Sequence, residues 1–518
     1  MSKYNQTKVT PTVTNHQGGE SIKLKPELEL ISILATGLDG QFYEKESEKE
    51  KRVFDLCLEV AKKNPVLLAK MLVYARSVIG QRSVTHVGAV AAAKYLSGHP
   101  IASKLFTKRH RKENKGGVIY RLDDMMEIMA YYFMRNTSKS LPNSIKKGFK
   151  QVLENSDAYE LAKFQGKTKS VSLVDIVNLV HPKPNEKMQE TFRKLMNGEL
   201  KQFNTAEDKQ TKAGQVVAEK VIKGEITKEE AKVELKEAKA ENWADLIKSG
   251  TLGYLALLRN LKNITEQASE EVFKLALEML TDEKRVRKSL VFPHQIDLAF
   301  EVLLEESNIQ QIKKVELLKA IDKAYNLAIP NLTELFSTGK TAVVVDTSGS
   351  MTSYKTRIGS STLKNAAIDK ASLIAATFLK GIGADLYTFD TRCRQETYNP
   401  LDSINTIKNN IIKKANGGGT YFNYIFSTLK EKYDRIFVIS DMQGADSLIK
   451  NSEYREYKSK YGQPYIYSID LAGYGTSMFK QNDKLINLYG YSKDIYEMVK
   501  SCEINPNAIL KEIEKIEI

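Results

Sequence analysis

Residues 341–351 read TAVVVDTSGSM, and this stretch decides the architecture of the C-terminal third of the chain. Thr341–Val345 is a short apolar, β-branched run, as required of a strand buried on both faces of a parallel sheet. It ends at Asp346, and Ser348 and Ser350 follow at alternate positions of a strand-to-helix loop. Three oxygen side chains so spaced converge on one point at the carboxyl end of the sheet, where open α/β folds bind ligands. Downstream the elements keep alternating. The helical segment LKNAAIDKASLIAATFLKG leads to ADLYTFD, then the helix SINTIKNNIIKK, the strands RIFVISD and PYIYSIDL, and a helical pair near Ile495–Ile516. This order predicts a doubly wound, Rossmann-like α/β domain over residues 336–518.

Two more oxygen donors fall after later strands or loops. Thr420 closes Asn416-Gly-Gly-Gly-Thr420, where glycines let the backbone approach closely, and Asp441 follows the strand RIFVIS. Asp346, Ser348, Ser350, Thr420 and Asp441 together make a hard oxygen set suited to Mg²⁺ or Mn²⁺, with one coordination position left open. Taken one at a time, the same residues serve as helix caps and turn formers. Their number and order favour the metal site.

This part resembles a von Willebrand factor A-type domain, whose metal-ion-dependent adhesion site uses the Asp-x-Ser-x-Ser, Thr and Asp elements quoted above. The resemblance implies a site that binds, its metal shell completed by an acidic group of a partner. Tyr421 follows Thr420 where many members of that family carry Asp, so different hydrogen bonding is expected in this loop. The loop is also similar to the Asp-x-Asp-Gly-Thr loop of aspartate-nucleophile phosphatases, but Ser348 replaces the acid that would act as general acid/base. Gly339-Lys340-Thr341 and Gly166-Lys167-Thr168 are not phosphate loops. Glu334 and Leu161 stand where the earlier glycine is needed. No catalytic triad or metal-protease motif is present, so the chain is expected not to be an enzyme.

Upstream of Gly339 the period is helical. Segments such as KRVFDLCLEVAKK, PVLLAKMLVYARSVI, LDDMMEIMAYYFM and VELLKAIDKAYNLA place apolar residues three and four apart. Their length and short breaks predict an α-solenoid of stacked helix pairs over residues 26–335, preceded by an extended or loosely ordered arm, residues 1–25. Residues 206–242 are densely charged and predict a solvated helical hairpin. The chain carries 78 Lys+Arg against 64 Asp+Glu, a net of +14. Residues 101–170 hold 15 basic and 7 acidic residues, +8, so over half of the excess sits in under a seventh of the chain. Such a field suits a polyanion through counterion release, although a Lys-rich solvated surface would give the same count. Cys57, Cys393 and Cys502 are widely spaced, and the polar N-terminus MSKYNQTKVTPTVTNHQGG is no signal peptide. No apolar run approaches the ~18 residues of a membrane span. A cytoplasmic protein without membrane contact is expected.

Read in order, ELELISILATGLDGQFY, LVYARSVIGQRSVTHVGAVAAA, DIVNLVHPKP, LIKSGTLGYLALLRNLKNI and RKSLVFPHQIDLAFEVL resemble the TROVE module of the Ro ribonucleoprotein family. TROVE followed by an A-type domain is that family's layout. The resemblance implies a monomeric ring of HEAT-like helical repeats closed by the A-type domain. Its outer basic face would bind small Y RNAs and its central hole the single-stranded 3′ ends of misfolded RNAs, with an exoribonuclease as a further partner. By position, His181 in LVHPKP matches the family's histidine on the RNA-facing surface, Lys163 and Lys167 fall near its basic pair with a one-residue difference in spacing, and Lys146 and Lys147 match a pair in the preceding helix. The rival expectation is a metal-dependent protein-interaction module whose helical part is only a scaffold.

Overall fold

The computed structural model describes residues 13–518 apart from 40–41, 111–112, 137–139, 167–168, 201–213, 215, 224, 290, 292, 306–308, 330–335, 337, 353–355, 359–360, 364–366, 416, 447–451, 492–494 and 506–507. It divides into two compact units. The first comprises Met1–Leu200, Leu332–Pro400 and Ile407–Ile518, and the second Lys201–Asn331 with Leu401–Thr406.

In the first unit, the helices Pro26–Thr36, Glu46–Lys63, Pro65–Tyr74, Ser83–Tyr95, Leu122–Arg135, Asn143–Glu154 and Leu173–Val180 each pack on neighbours one or two positions along the chain, as stacked helix pairs do. Local signals start them. Asn64 caps the third through Leu67 N (3.0 Å) with Pro65 at its first position, and Ser172 caps the last in a capping box with Asp175. Their apolar faces form one core that also takes in Ile513 and Ile516 from the C-terminus. Arg109 reinforces that junction by donating to the Glu517 carbonyl (2.5 Å).

The sheet lies in the same unit. Its strand order is Leu485–Tyr489, Tyr465–Asp470, Arg435–Ser440, Thr341–Asp346, Asp385–Phe389, Cys393–Glu396; only the last is antiparallel to its neighbour. Every residue of Thr341–Asp346 is buried, as its apolar run requires. The chain leaves this strand towards Asp385–Phe389 and returns on its other side at Arg435–Ser440, so the topological switch point falls beside Asp346.

The N-terminal arm is more ordered than expected from residue 13 on. Val13–Thr14 and Glu20–Lys23 form a hairpin, and the second strand pairs with Thr476–Ser477. In the second unit the helices Lys228–Lys248, Tyr254–Gln267, Glu270–Leu280, Pro293–Glu305 and Gln311–Ala328 continue the helical pattern. In the first arm of the expected charged hairpin, residues 206–213, 215 and 224 lie outside the described residues and 216–222 are helical; the second arm is the start of Lys228–Lys248. Among the described residues, no helix is long and apolar enough to cross a membrane.

Candidate metal centre and basic face

Sheet register assembles the oxygen cluster. Val345 pairs with Ile439, so Asp346 lies beside Ser440, and Ser440 pairs with Asp470. Asp346 Oδ2 accepts from Ser440 Oγ (2.5 Å) and Oδ1 from Ser348 N (2.9 Å), which bends the loop and brings Ser348 Oγ to 3.3 Å from Ser350 Oγ. Gly349 N donates to the Gly418 carbonyl (3.0 Å), which draws the glycine loop, and with it Thr420, against the first loop. Asp346, Ser348, Ser350, Thr420 and Asp441 are all buried. The five expected ligands are therefore brought to one place.

Burial raises the carboxyl of Asp346 well above the ordinary carboxylate range, and the neighbouring Asp441 charge adds to this. Burial likewise raises Asp441, against hydrogen bonds from Ser350 and Gln443 N and with a further push from Asp470. Asp470 itself is pushed up to about 6 by burial, against hydrogen bonds from Gly473 N and Ala472 N. Asp441 Oδ2 is buried with no hydrogen-bond partner of good geometry. Buried like charges with an unsatisfied oxygen are unfavourable alone and are relieved by a cation. Among the described residues no three His, Cys, Asp or Glu side chains converge, so the set depends on its hydroxyls. Its chemistry fits a hard divalent ion.

At Tyr421, the position that departs from the A-type pattern, the backbone N–H donates to the Asp390 carbonyl (3.0 Å), and the ring stands half-exposed against Tyr424. Asp446 supplies a carboxylate to this loop instead, accepting from Phe422 N (3.0 Å) and Asn423 N (2.7 Å).

The basic residues divide into two groups. Lys147, Lys163 and His181 are exposed and Lys146 is half-buried; Lys167 lies outside the described residues. Lys146 and Lys147 ride on Asn143–Glu154, which packs on Leu173–Val180, the helix that ends at His181. Glu154 accepts from Lys183 N (2.7 Å), which ties the His181 segment to the far end of the lysine-bearing helix. Lys163 ends a separate helix, Ala158–Lys163, with its ammonium over the Tyr159 and Phe164 rings (5.5 and 5.6 Å). His181 holds the left-handed conformation (φ 48°, ψ 64°) that ends its helix, a place usually given to glycine.

Other members of the charge cluster are paired within the chain. Arg109 is buried and donates to the Gly116 carbonyl (2.7 Å), Lys108 pairs with Glu160 (2.5 Å), Arg121 with Asp123 (2.9 Å) and Arg135 with Glu50 (2.5 Å). Asp123 and Glu160 are among the seven acids already counted in this region, so only the Arg135–Glu50 pair draws on a carboxylate from outside it.

Sequence reading missed a buried network. Arg82 meets Asp124 (2.8 Å), Asp123 (2.9 Å) and Glu127 (3.2 Å), Arg76 meets Asp124 (3.2 Å), and buried His86 lies 3.4 Å from Asp124 and 3.3 Å from Glu127. Burial would raise Asp124, but His86, Arg76 and Arg82 hold it well below the usual range. This network clamps Leu122–Arg135 to Ser83–Tyr95 and to the π-helical turn Ala75–Ile79. It is structural in character.

The family model of the TROVE domain matches residues 30–238 and 218–326. The crystal structure of the Deinococcus radiodurans RO (RSR) protein superposes with a TM-score of 0.52, covering 92% of this chain and 99% of that one at 15% identity, a likeness of fold. No curated protein sequence matches the chain.

Proposed function

The chain belongs to the TROVE-domain family of RNA-binding proteins, and from that premise we propose that it binds small structured, Y-like non-coding RNA and the single-stranded 3′ ends of misfolded RNA, in RNA quality control. The observation that carries this reading is the exposure of Lys147, Lys163 and His181 within the matched region. Lysine contacts to phosphate would supply affinity, and shape with free ends would supply selection, since the bases of an A-form helix are hard to read. Sequencing the RNA that co-purifies with the full-length protein tests the reading. Protein that purifies free of nucleic acid and ignores added structured RNA would refute it.

His181 separates contact from stability. A non-glycine residue in the left-handed region costs ~1–2 kcal/mol. His181→Gly is expected to keep or raise the unfolding free energy by up to about 1 kcal/mol, after the entropy cost of glycine, while weakening RNA binding. Paired denaturation and binding titrations check this. A destabilised variant with unchanged RNA affinity would remove His181 from the RNA face.

The same reading places Mg²⁺ or Mn²⁺ at Asp346, Ser348, Ser350, Thr420 and Asp441, in a protein that binds and does not turn over substrate. Bound metal there would screen the two carboxylates and fix the loop. Because the carboxyls of Asp346 and Asp441 are raised in the metal-free fold, protons compete with the cation. Metal affinity is therefore expected to rise with pH through the raised range, and binding to release protons. For folding the sign is opposite. A raised carboxyl makes the metal-free native state lose stability as pH rises from the ordinary carboxylate range, so metal should raise Tm most at the upper end. Calorimetry in buffers of different ionisation enthalpy measures the proton release, and its absence would contradict the assignment.

A further inference from the structure

The N-terminal arm reaches the oxygen cluster, and its anchoring is specific. Asn15 Nδ2 donates to the Gly444 carbonyl (2.8 Å), while Asn15 Oδ1 accepts from Gln17 N (2.9 Å) and Gly19 N (3.2 Å). His16 N donates to Gln443 Oε1 (2.9 Å), two residues beyond Asp441. Gly19 passes so close to the following loop that a Cβ there would stand 2.1 Å from the Gly444 oxygen, so a side chain is excluded. Glu20–Lys23 then joins Thr476–Ser477 as a strand. The turn is held before and after Gln17, and that side chain is directed at the cluster, with Nε2 at 3.2 Å from Thr420 Oγ1.

A second group arrives from the loop ahead of Glu46–Lys63. The Tyr43 ring stacks on His16 (5.0 Å) and meets Tyr474 edge-on (5.6 Å), which brings its phenol to the side chains of Gln17 and Ser350. An open cleft of about 620 Å³ is lined by Gln17, Phe42, Tyr43, Ser350 and the backbone of Gly417–Gly419. Ser350 is the expected ligand on its wall, and Gln17 also reaches the buried Thr420.

We propose that Gln17 and Tyr43 are further members of the metal site, supplying from outside the sheet domain the oxygen that its five groups leave wanting. The proposal rests on the reading of those five as a divalent-cation site. An octahedral ion takes six oxygens. Five come from the sheet domain, and the unsatisfied Asp441 oxygen marks a set built for a positive charge. The Gln17 amide carries a carbonyl oxygen beside its nitrogen, and half a turn of the amide presents Oε1 to the point where Nε2 now stands. The phenol of Tyr43 stands at the same place as the alternative neutral donor for that one position, so either residue, and not both at once, completes the six. An acidic group from elsewhere must then displace a tethered neutral ligand, so the arm sets which ligands the metal accepts.

The test is Mn²⁺ titration of the full-length chain, read by the electron paramagnetic signal of free ion and by water-proton relaxation, with circular dichroism to verify folding. Gln17→Ala combined with Tyr43→Phe is expected to weaken Mn²⁺ binding about tenfold and to add inner-sphere water. Gln17→Glu, which places a carboxylate at the same point, is expected to tighten it about tenfold, since affinity follows ligand charge. A merely structural arm predicts weakening by both Gln17 substitutions and no added water, and that result overturns the proposal. Unchanged affinity in all variants, with Asp346→Ala still losing the ion, also overturns it and leaves the five-residue site standing. A wild-type chain that binds no Mn²⁺ overturns both.

Discussion

RNA affinity is expected to fall about 100-fold to 10,000-fold when salt is raised fourfold from a low starting concentration. The estimate follows from a log–log slope of about −3 to −7, because each phosphate contact contributes ~0.7–0.9 and several basic side chains are exposed on the helical module. Replacing Lys146, Lys147, Lys163 and His181 together by Ala should cut affinity at least tenfold and flatten that slope. Thermal unfolding should scarcely move, because exposed substitutions usually change stability by within about ±0.5 kcal/mol each. Filter binding over a salt series, with a structured RNA bearing a free 3′ tail, measures both. A flat response would remove the electrostatic account. Intact binding in the variant would move the RNA face to the Lys104–Arg121 segment, where Lys104 and Lys115 are exposed.

Charge counting located the basic region but could not divide it. The acids that neutralise it, Glu50 for Arg135 and Glu160 for Lys108, are distant in sequence and near only once the helices pack. The same limit hid the Arg76–Arg82–His86 network, whose partners sit about 40 residues on, at Asp123, Asp124 and Glu127, one helix away. Helices were legible wherever an apolar stripe met a local cap, as at Asn64 and Ser172. Thr341–Asp346, Asp385–Phe389, Arg435–Ser440 and Tyr465–Asp470 were legible by their apolar runs, but Leu485–Tyr489, buried at the other edge of the sheet, was not expected. Cys393–Glu396 was not, because CRQE is an edge strand of polar residues that lacks the alternation a sequence reader needs.

The buried oxygen cluster was legible for a different reason. Asp346, Ser348 and Ser350 are set by local spacing, while Thr420 and Asp441 follow from the rule that ligands gather at the carboxyl ends of parallel strands. Ser440, Gln17 and Tyr43 carried no such signal. Ser440 reaches Asp346 by sheet register, and the arm is ordered by contacts more than 400 residues away, at Gln443, Gly444 and Thr420. Nothing in its polar sequence marks that partnership, which is why an extended or loosely ordered segment was expected.

Asp346→Ala is expected to abolish Mg²⁺ and Mn²⁺ binding while RNA binding persists, because the basic side chains belong to other elements. The substitution removes one of two buried carboxylates and releases Ser348 N and Ser440 Oγ, the contacts that shape the loop. What remains is one carboxylate among neutral hydroxyls, too little charge for a hard cation. Asp346→Asn retains the shape without the charge and should likewise fail to bind, which isolates electrostatics from loop collapse. The pair also raises the enzyme question, since two carboxylates shifted from their ordinary range are what acid–base chemistry uses. The fold supplies the second acid, Asp441, that the loop sequence lacks. Against turnover stand the burial of both carboxyls, at 0% and 2% exposure, and a motif without His, Cys or Lys to protonate a leaving group. The wild-type chain is therefore expected to hydrolyse neither RNA nor a simple phosphoester, with or without Mn²⁺. Metal-dependent hydrolysis that vanishes in Asp346→Ala would make this cluster an active site and reverse the assignment.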